Sequence, residues 1–276
     1  MIFLFKYWDI FCEKLDKCGV KSIPACEVKA DEKNYLVLKH DVETNVANAH
    51  RIAVIENKYG HRGSYYVQAY LLEKDENVKL LTEMKNMGHE ISYHYDVLDS
   101  CKGNFDSAIK EFEKNRCLFE TNGFSVVTVC QHGNPVIERN GYHSNRDFFR
   151  SERVRELYPD ITDIMVNFKE QISTDYLYFS DAGRRFNLIY DPINNDIIKS
   201  DDKNIPFENL QSLTGGLSHE IGNIISIHPH RWMNSALKFV VKSFVFKILK
   251  AVAKTLEKVP VLNRIMSKYY YLAKKI

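Results

Sequence analysis

Five apolar runs in this 276-residue chain each end abruptly in residues that bind metals or move protons. Tyr35-Leu36-Val37-Leu38 runs into Lys39-His40-Asp41-Val42-Glu43, and Gly88-His89-Glu90-Ile91-Ser92-Tyr93 runs into His94-Tyr95-Asp96. Phe124 to Cys130 ends at Gln131-His132-Gly133, Tyr176 to Ser180 ends at Asp181, and Ile224 to Ile227 ends at His228-Pro229-His230. Asp41, His94, His132 and His228 offer imidazoles and a carboxylate, donors suited to a divalent cation. Zinc is the first expectation, with cobalt, nickel or iron also compatible. Such a cation polarises a carbonyl and lowers the pKa of bound water. The reaction expected is hydrolysis of an amide or ester, with a further acid/base group drawn from His40, Glu43 and Asp181. Tyr95, Asp96, Asn134, Arg184, His230 and Trp232 lie within or just beyond the same run ends and, with Glu43, are candidates for substrate contact. Asp96 has an alternative use as a helix cap. Arg184 could orient Asp181 or grip an anionic substrate.

Short apolar runs bounded by turn residues read as buried strands. Between them the periodicity is helical: 45–59 with Val46, Ala49, Ile52, Ala53 and Ile55 on one face, 76–87 closed by Gly88, and 106–120 closed by Asn122-Gly123. Repeated strand-then-helix order predicts parallel strands with right-handed crossovers, hence an α/β barrel or a doubly wound sheet. A barrel would gather all five strand ends at one mouth, where barrel active sites lie. Trp8, Phe11, Leu15 and Cys18 fall at helical spacing and predict an amphipathic first helix. A short helix is expected over 152–158, a further strand in 164–166, and a surface excursion over 191–204. His89 opens its strand and His219 precedes one, so both read as structural, as do His50, His61 and His143 on helices or loops.

The composition, 45% hydrophobic and 27% charged, is that of an ordinary globular protein. Six cysteines without a C-x-x-C pair favour a reduced compartment, with a disulfide among Cys12, Cys18 and Cys26 as the minority alternative. The apolar N-terminus is charged too early for a signal peptide. No run approaches the roughly 20 uncharged residues of a bilayer span. A cytoplasmic location is expected.

Residues 235–276 differ from the rest. Ten Lys or Arg against the single acidic Glu257 give this tail about +9, leaving about −7 on residues 1–234 in a chain of net +2. Lys238, Lys242, Lys250, Lys254 and Lys258 recur at multiples of four, beside Phe239, Val240, Val241, Phe244, Val245, Ile248 and Leu249. Two readings stand: a basic amphipathic helix lying on the anionic inner face of a membrane, or a final helix packed on the barrel. Basic residues confined to one tail, with no recognisable binding motif, argue against a nucleic-acid partner.

Leu38-Lys39-His40-Asp41-Val42-Glu43 resembles the first motif of the polysaccharide deacetylase superfamily (NodB homology, carbohydrate esterase family 4), and Gly63 to Val67 its second strand. Gly88-His89-Glu90-Ile91-Ser92-Tyr93-His94 is the most specific likeness, to the family's G-H-E-I-x-x-H segment. Gln131 to Pro135, Asp181 and Ile227-His228 stand at its third, fourth and fifth motifs. The resemblance covers about residues 35–232 and is strongest to a divergent, WbmS-like branch associated with surface polysaccharides. It implies a deformed (β/α)7 barrel over 1–234 with 235–276 appended, a divalent metal, and removal of an N- or O-acetyl group from a surface glycan or its lipid- or nucleotide-linked precursor. It further implies Asp41 and His94 as ligands and His228 as general acid. The sequence departs from the family at His40, where an aspartate base is usual, and at Leu98, where a second histidine ligand is usual. His132 replaces an arginine and is the candidate third ligand; the base is then His40 or Asp181. Two other readings stand: the departures allow a barrel that binds carbohydrate without hydrolysing it, and the resemblance also allows a metal-free hydrolase of non-sugar C–N bonds, a type the superfamily includes.

Overall fold

The structure is a computed structural model that describes residues 2–134, 137–182, 185–198, 203–241 and 244. Its strands are β1 (Leu36–Val42), β2 (Gly63–Val67), β3 (Glu90–Tyr95), β4 (Thr128–Gln131), β5 (Thr162–Asp163), β6 (Tyr176–Ser180), β7 (Phe186–Leu188), β8 (Ile205–Phe207) and β9 (Gly222–Ile227). Among the described residues they form one nine-stranded sheet in the order β5-β4-β3-β2-β1-β9-β6-β7-β8. Every neighbour from β5 through β6 pairs in parallel, as the alternating strand and helix periodicities predict. β6–β7 and β7–β8 are antiparallel.

Among the described residues the sheet is not closed, which corrects the expectation of a closed barrel. Closure would require β5 to pair with β6, but the outer edge of β6 is occupied by β7. β5 itself is two residues long, because Asp163 turns the chain: its side chain accepts from the Met165 N–H, and Asn167 Oδ1 accepts from the Asp163 N–H. The expected strand over 164–166 is displaced to 162–163 for this reason.

The principal helices are α1 (Phe5–Lys17), α2 (Val46–Lys58), α3 (Asp75–Asn86), α4 (Val97–Ser100) and α5 (Phe105–Thr121). α2 and α5 are started by Asn45 and Asn104, whose side chains accept from the backbone N–H three residues on. α1 buries Trp8, Phe11 and Leu15, as its spacing predicts, and Cys12 with them, while Cys18 is exposed; Cys12, Cys18 and Cys26 are free thiols.

Strand alternation divides β1 between two environments. Leu36, Leu38 and Val42 enter the large core under the helices, whereas Val37 joins Tyr66, Cys130, Tyr178 and Ile224 on the concave face. Lys39, Asp41 and Glu43 share the parity of Val37 and continue that inner line. Residues 236–241 are helical, and Phe239 packs on Phe3 at 6.0 Å between ring centroids. Beyond these and Phe244, the basic tail lies outside the described residues. No described helix is long and apolar enough to cross a membrane.

Candidate active site

The ends of β1, β3, β4, β6 and β9 do converge. His94 closes β3 on the concave face, next to Asp41 of β1 and Cys130 of β4. Above them lie Glu43 and His132, just past the ends of β1 and β4. Two sets of donors arise from this stack, Asp41/His94/Cys130 and Glu43/His94/His132, each with its ligand atoms within 4.8 Å of one another. Both include His94, whose Nδ1 lies 3.0 Å from the Cys130 carbonyl oxygen. That contact places the ring proton on Nδ1 and turns Nε2 inward, the arrangement that orients ligating histidines. Two imidazoles with a carboxylate are a fitting donor set for zinc or a similar cation.

Charge is dense here. Burial opposes ionisation of Asp41, yet Lys39, His94 and His228 hold its carboxyl well below the usual range. Lys39 is itself buried, with Nζ 2.5 Å from Asp41 Oδ1 and 3.2 Å from Ser226 Oγ. Burial favours its neutral form, but Asp41 outweighs this and the ammonium stays charged. Burial likewise disfavours ionised Glu43, while His132 and His228 keep its carboxyl low. Burial pushes His94 down to about 3 and His230 to about 4, so both rings are neutral. It raises the Cys130 thiol well above its ordinary value.

His228 Nδ1 lies 2.5 Å from Asp181 Oδ1, and the His228 N–H donates to Asp181 Oδ2 at 3.1 Å. Asp181 is fully buried and is also held by Arg231 at 3.0 Å. Burial would lower the His228 pKa, but Asp181 outweighs it and raises it. Nε2 is thereby aimed at Asp41 (3.8 Å) and Glu43 (3.7 Å). A carboxylate that fixes a tautomer and supports an imidazolium is half of the arrangement used for proton delivery.

Several expected site residues stand elsewhere. His40 follows strand parity to the opposite face from Asp41, where it stacks on Tyr65 and lies 2.9 Å from Glu56, so it is not brought to the cluster. Tyr95 points under α5 and donates to Asp163 at 2.5 Å, and Trp232 is buried against Trp8 and Phe3; neither is open to a substrate. Asp96 precedes α4 without a side-chain cap to that helix and lies 3.8 Å from His132. Asn134 is buried with its carbonyl held by Arg139, and His230 lies 3.9 Å from Glu43 at the rim. Arg184 lies outside the described residues.

Leu98 is fully buried in the apolar core. Its neighbour Asp99 instead secures the His132 segment: Asp99 accepts from Arg139 and Asn145, and Asn145 donates on to the His132 carbonyl at 2.9 Å. The His132 N–H donates to the Tyr95 carbonyl at 2.7 Å. Lys39, Cys130 and Arg231 complete the site and were not among the expected residues. Lys39 was legible, because two residues before Asp41 is the same strand face.

No protein-family model matches the chain, and no curated protein does. Among solved structures the chain is similar to the catalytic domain of a peptidoglycan N-acetylglucosamine deacetylase from Eubacterium rectale. The identity is 9% over 81% of this chain and 88% of that one, with a TM-score of 0.44. A CE4 family pseudoenzyme from Bacillus anthracis gives 12% over 80% and 62%, with a TM-score of 0.43. The Xyl-CE4 domain of a multidomain xylanase from the hindgut metagenome of Trinervitermes trinervoides gives 14% over 72% and 75%, with a TM-score of 0.41. Likenesses this remote leave function to be read from the side chains.

Proposed function

We propose that this protein is a metal-dependent deacetylase acting on a surface glycan or on its lipid- or nucleotide-linked sugar precursor. One observation carries the hydrolytic part: two histidines and two carboxylates meet at the strand ends, facing a histidine that is backed by a buried aspartate. The acetylated sugar comes from the motif resemblance of residues 35–232. His94 and His132 with a carboxylate from Asp41 or Glu43 would hold the cation, which would polarise the acetyl carbonyl and acidify a water. The carboxylate not so engaged accepts the proton of the attacking water. His228, protonated and oriented by Asp181, returns a proton to the departing amine or alcohol oxygen.

The test is acetate release from a panel of N- and O-acetylated sugars, with metal added, by the wild type and by Asp41→Ala and His94→Ala. Release that survives both substitutions would refute the mechanism. A second reading, carbohydrate binding without hydrolysis, is favoured by Leu98 at a usual ligand position and by the ammonium of Lys39 beside Asp41. It requires glycan binding with no cation retained after purification.

For the tail the proposal is attachment to an anionic membrane surface from the cytoplasmic side. Leu237, Val240, Val241 and Phe244 support it, each more than half exposed at its start. Loss of salt-sensitive liposome binding on deleting 235–276 is the expected result, and a truncated protein that unfolds would instead place the segment in the core.

A further inference from the structure

Resting on the metal-dependent reading above, we infer that Glu43, His94 and His132 form the metal-binding set, and that Lys39 already fills the cation position beside Asp41, leaving Asp41 as the proton acceptor. This takes Asp41 out of the ligand role that the first-motif resemblance gives it.

The two donor sets share His94 and differ in what else surrounds them. In the deeper one, Asp41 Oδ1 is 2.5 Å from the Lys39 ammonium, which also contacts Ser226 and faces the Cys130 thiol. A dication there would be pressed against a buried positive charge, where the low dielectric strengthens their repulsion. In the outer set the described neighbours of Glu43 are imidazoles: His132 at 3.5 Å, His228 at 3.7 Å and His230 at 3.9 Å.

Access points the same way. Asp41, His94 and Cys130 are all buried, whereas the Glu43 side chain is 25% exposed and His230 beside it 26%. A hydrolytic metal needs one coordination position open to water and substrate, which only the outer set offers. Asp41 Oδ2 then lies 3.8 Å from His228 Nε2, below the mouth, with its other oxygen held by Lys39. A carboxylate fixed at one oxygen by Lys39, with the other turned toward the acid, is placed to take a proton.

Cobalt(II) titration of the full-length protein decides this, read by visible absorption and calorimetry. The wild type is expected to bind one equivalent with no thiolate-to-cobalt charge-transfer band in the near ultraviolet. Glu43→Gln should weaken binding by at least about tenfold, a loss typical of altered ligation. Cys130→Ser and Asp41→Asn should leave affinity and spectrum unchanged, Asp41→Asn losing acetate release alone. A charge-transfer band in the wild type, or cobalt binding lost in Asp41→Asn but kept in Glu43→Gln, would overturn the inference and leave the deacetylase reading standing. If Asp41→Asn does not fold, the wild-type spectrum and the Glu43→Gln and Cys130→Ser titrations still decide. A wild type that binds no cation overturns both.

Discussion

Replacing Asp181 with Asn isolates what the buried carboxylate does for His228. The two groups are 2.5 Å apart, and Asp181 is fully buried. Opposite charges about 4 Å apart at an effective dielectric of about 20 attract by about 4 kcal/mol. Arg231, 3.0 Å from the same carboxylate, opposes the imidazolium and offsets part of this. An amide can also present N–H to Nδ1, which favours the wrong tautomer. Loss of an oriented general acid typically costs about 10²–10⁴-fold in rate, so kcat for acetate release should fall into that range with metal content unchanged. The sign on pH follows from the raised His228 pKa. Removing Asp181 lowers it, so the alkaline limb of the rate profile moves toward lower pH. Circular dichroism and a thermal melt check that the variant is folded. A folded, metal-loaded Asp181→Asn protein with kcat within about threefold of wild type, a small effect on the scale of general acid catalysis, would refute the dyad.

Other consequences concern stability. Burial raises Asp163 from 3.8 to about 6, Tyr95 opposing, so the folded state holds a proton that the unfolded chain has lost. Its contribution is full below pH 4 and is lost as pH rises through 6. Asp163→Asn should therefore gain about 3 kcal/mol over wild type between pH 4 and 7 in urea titrations; a constant difference would refute this. Glu56 accepts from Trp8 and Tyr65 at 3.1 and 2.8 Å and faces His40, all in the core. Glu56→Ala should cost about 3–5 kcal/mol and Glu56→Gln clearly less, measured the same way. A Cβ on Gly63 would stand 2.6 Å from the Leu38 carbonyl and 3.1 Å from His40 Nε2. Gly63→Ala should lower stability by about 1–3 kcal/mol through overpacking, and an unchanged melting temperature would show that β1 and β2 can part.

The amino-acid sequence by itself determined which residues could meet. Short apolar runs interrupted by helical periodicity define the parallel strands, and a parallel strand delivers whatever follows it to the same edge of the sheet. That is why Asp41, His94, His132, Asp181 and His228 were legible as one group. The period of two was equally available: it sends His40 away from Asp41 and brings Lys39 to it. Only the tertiary structure decided matters that depend on pairing and depth. Among the described residues the sheet stays open because β7 takes the edge of β6, which no periodicity announces. Trp232 and Tyr95 are core residues because α1 and α5 pack over them, and an aromatic beside a strand end looks the same in sequence whether it faces solvent or a helix. The division of Asp41 and Glu43 proposed above rests on an ammonium 2.5 Å from one of them, a contact set by distance and burial rather than by residue type.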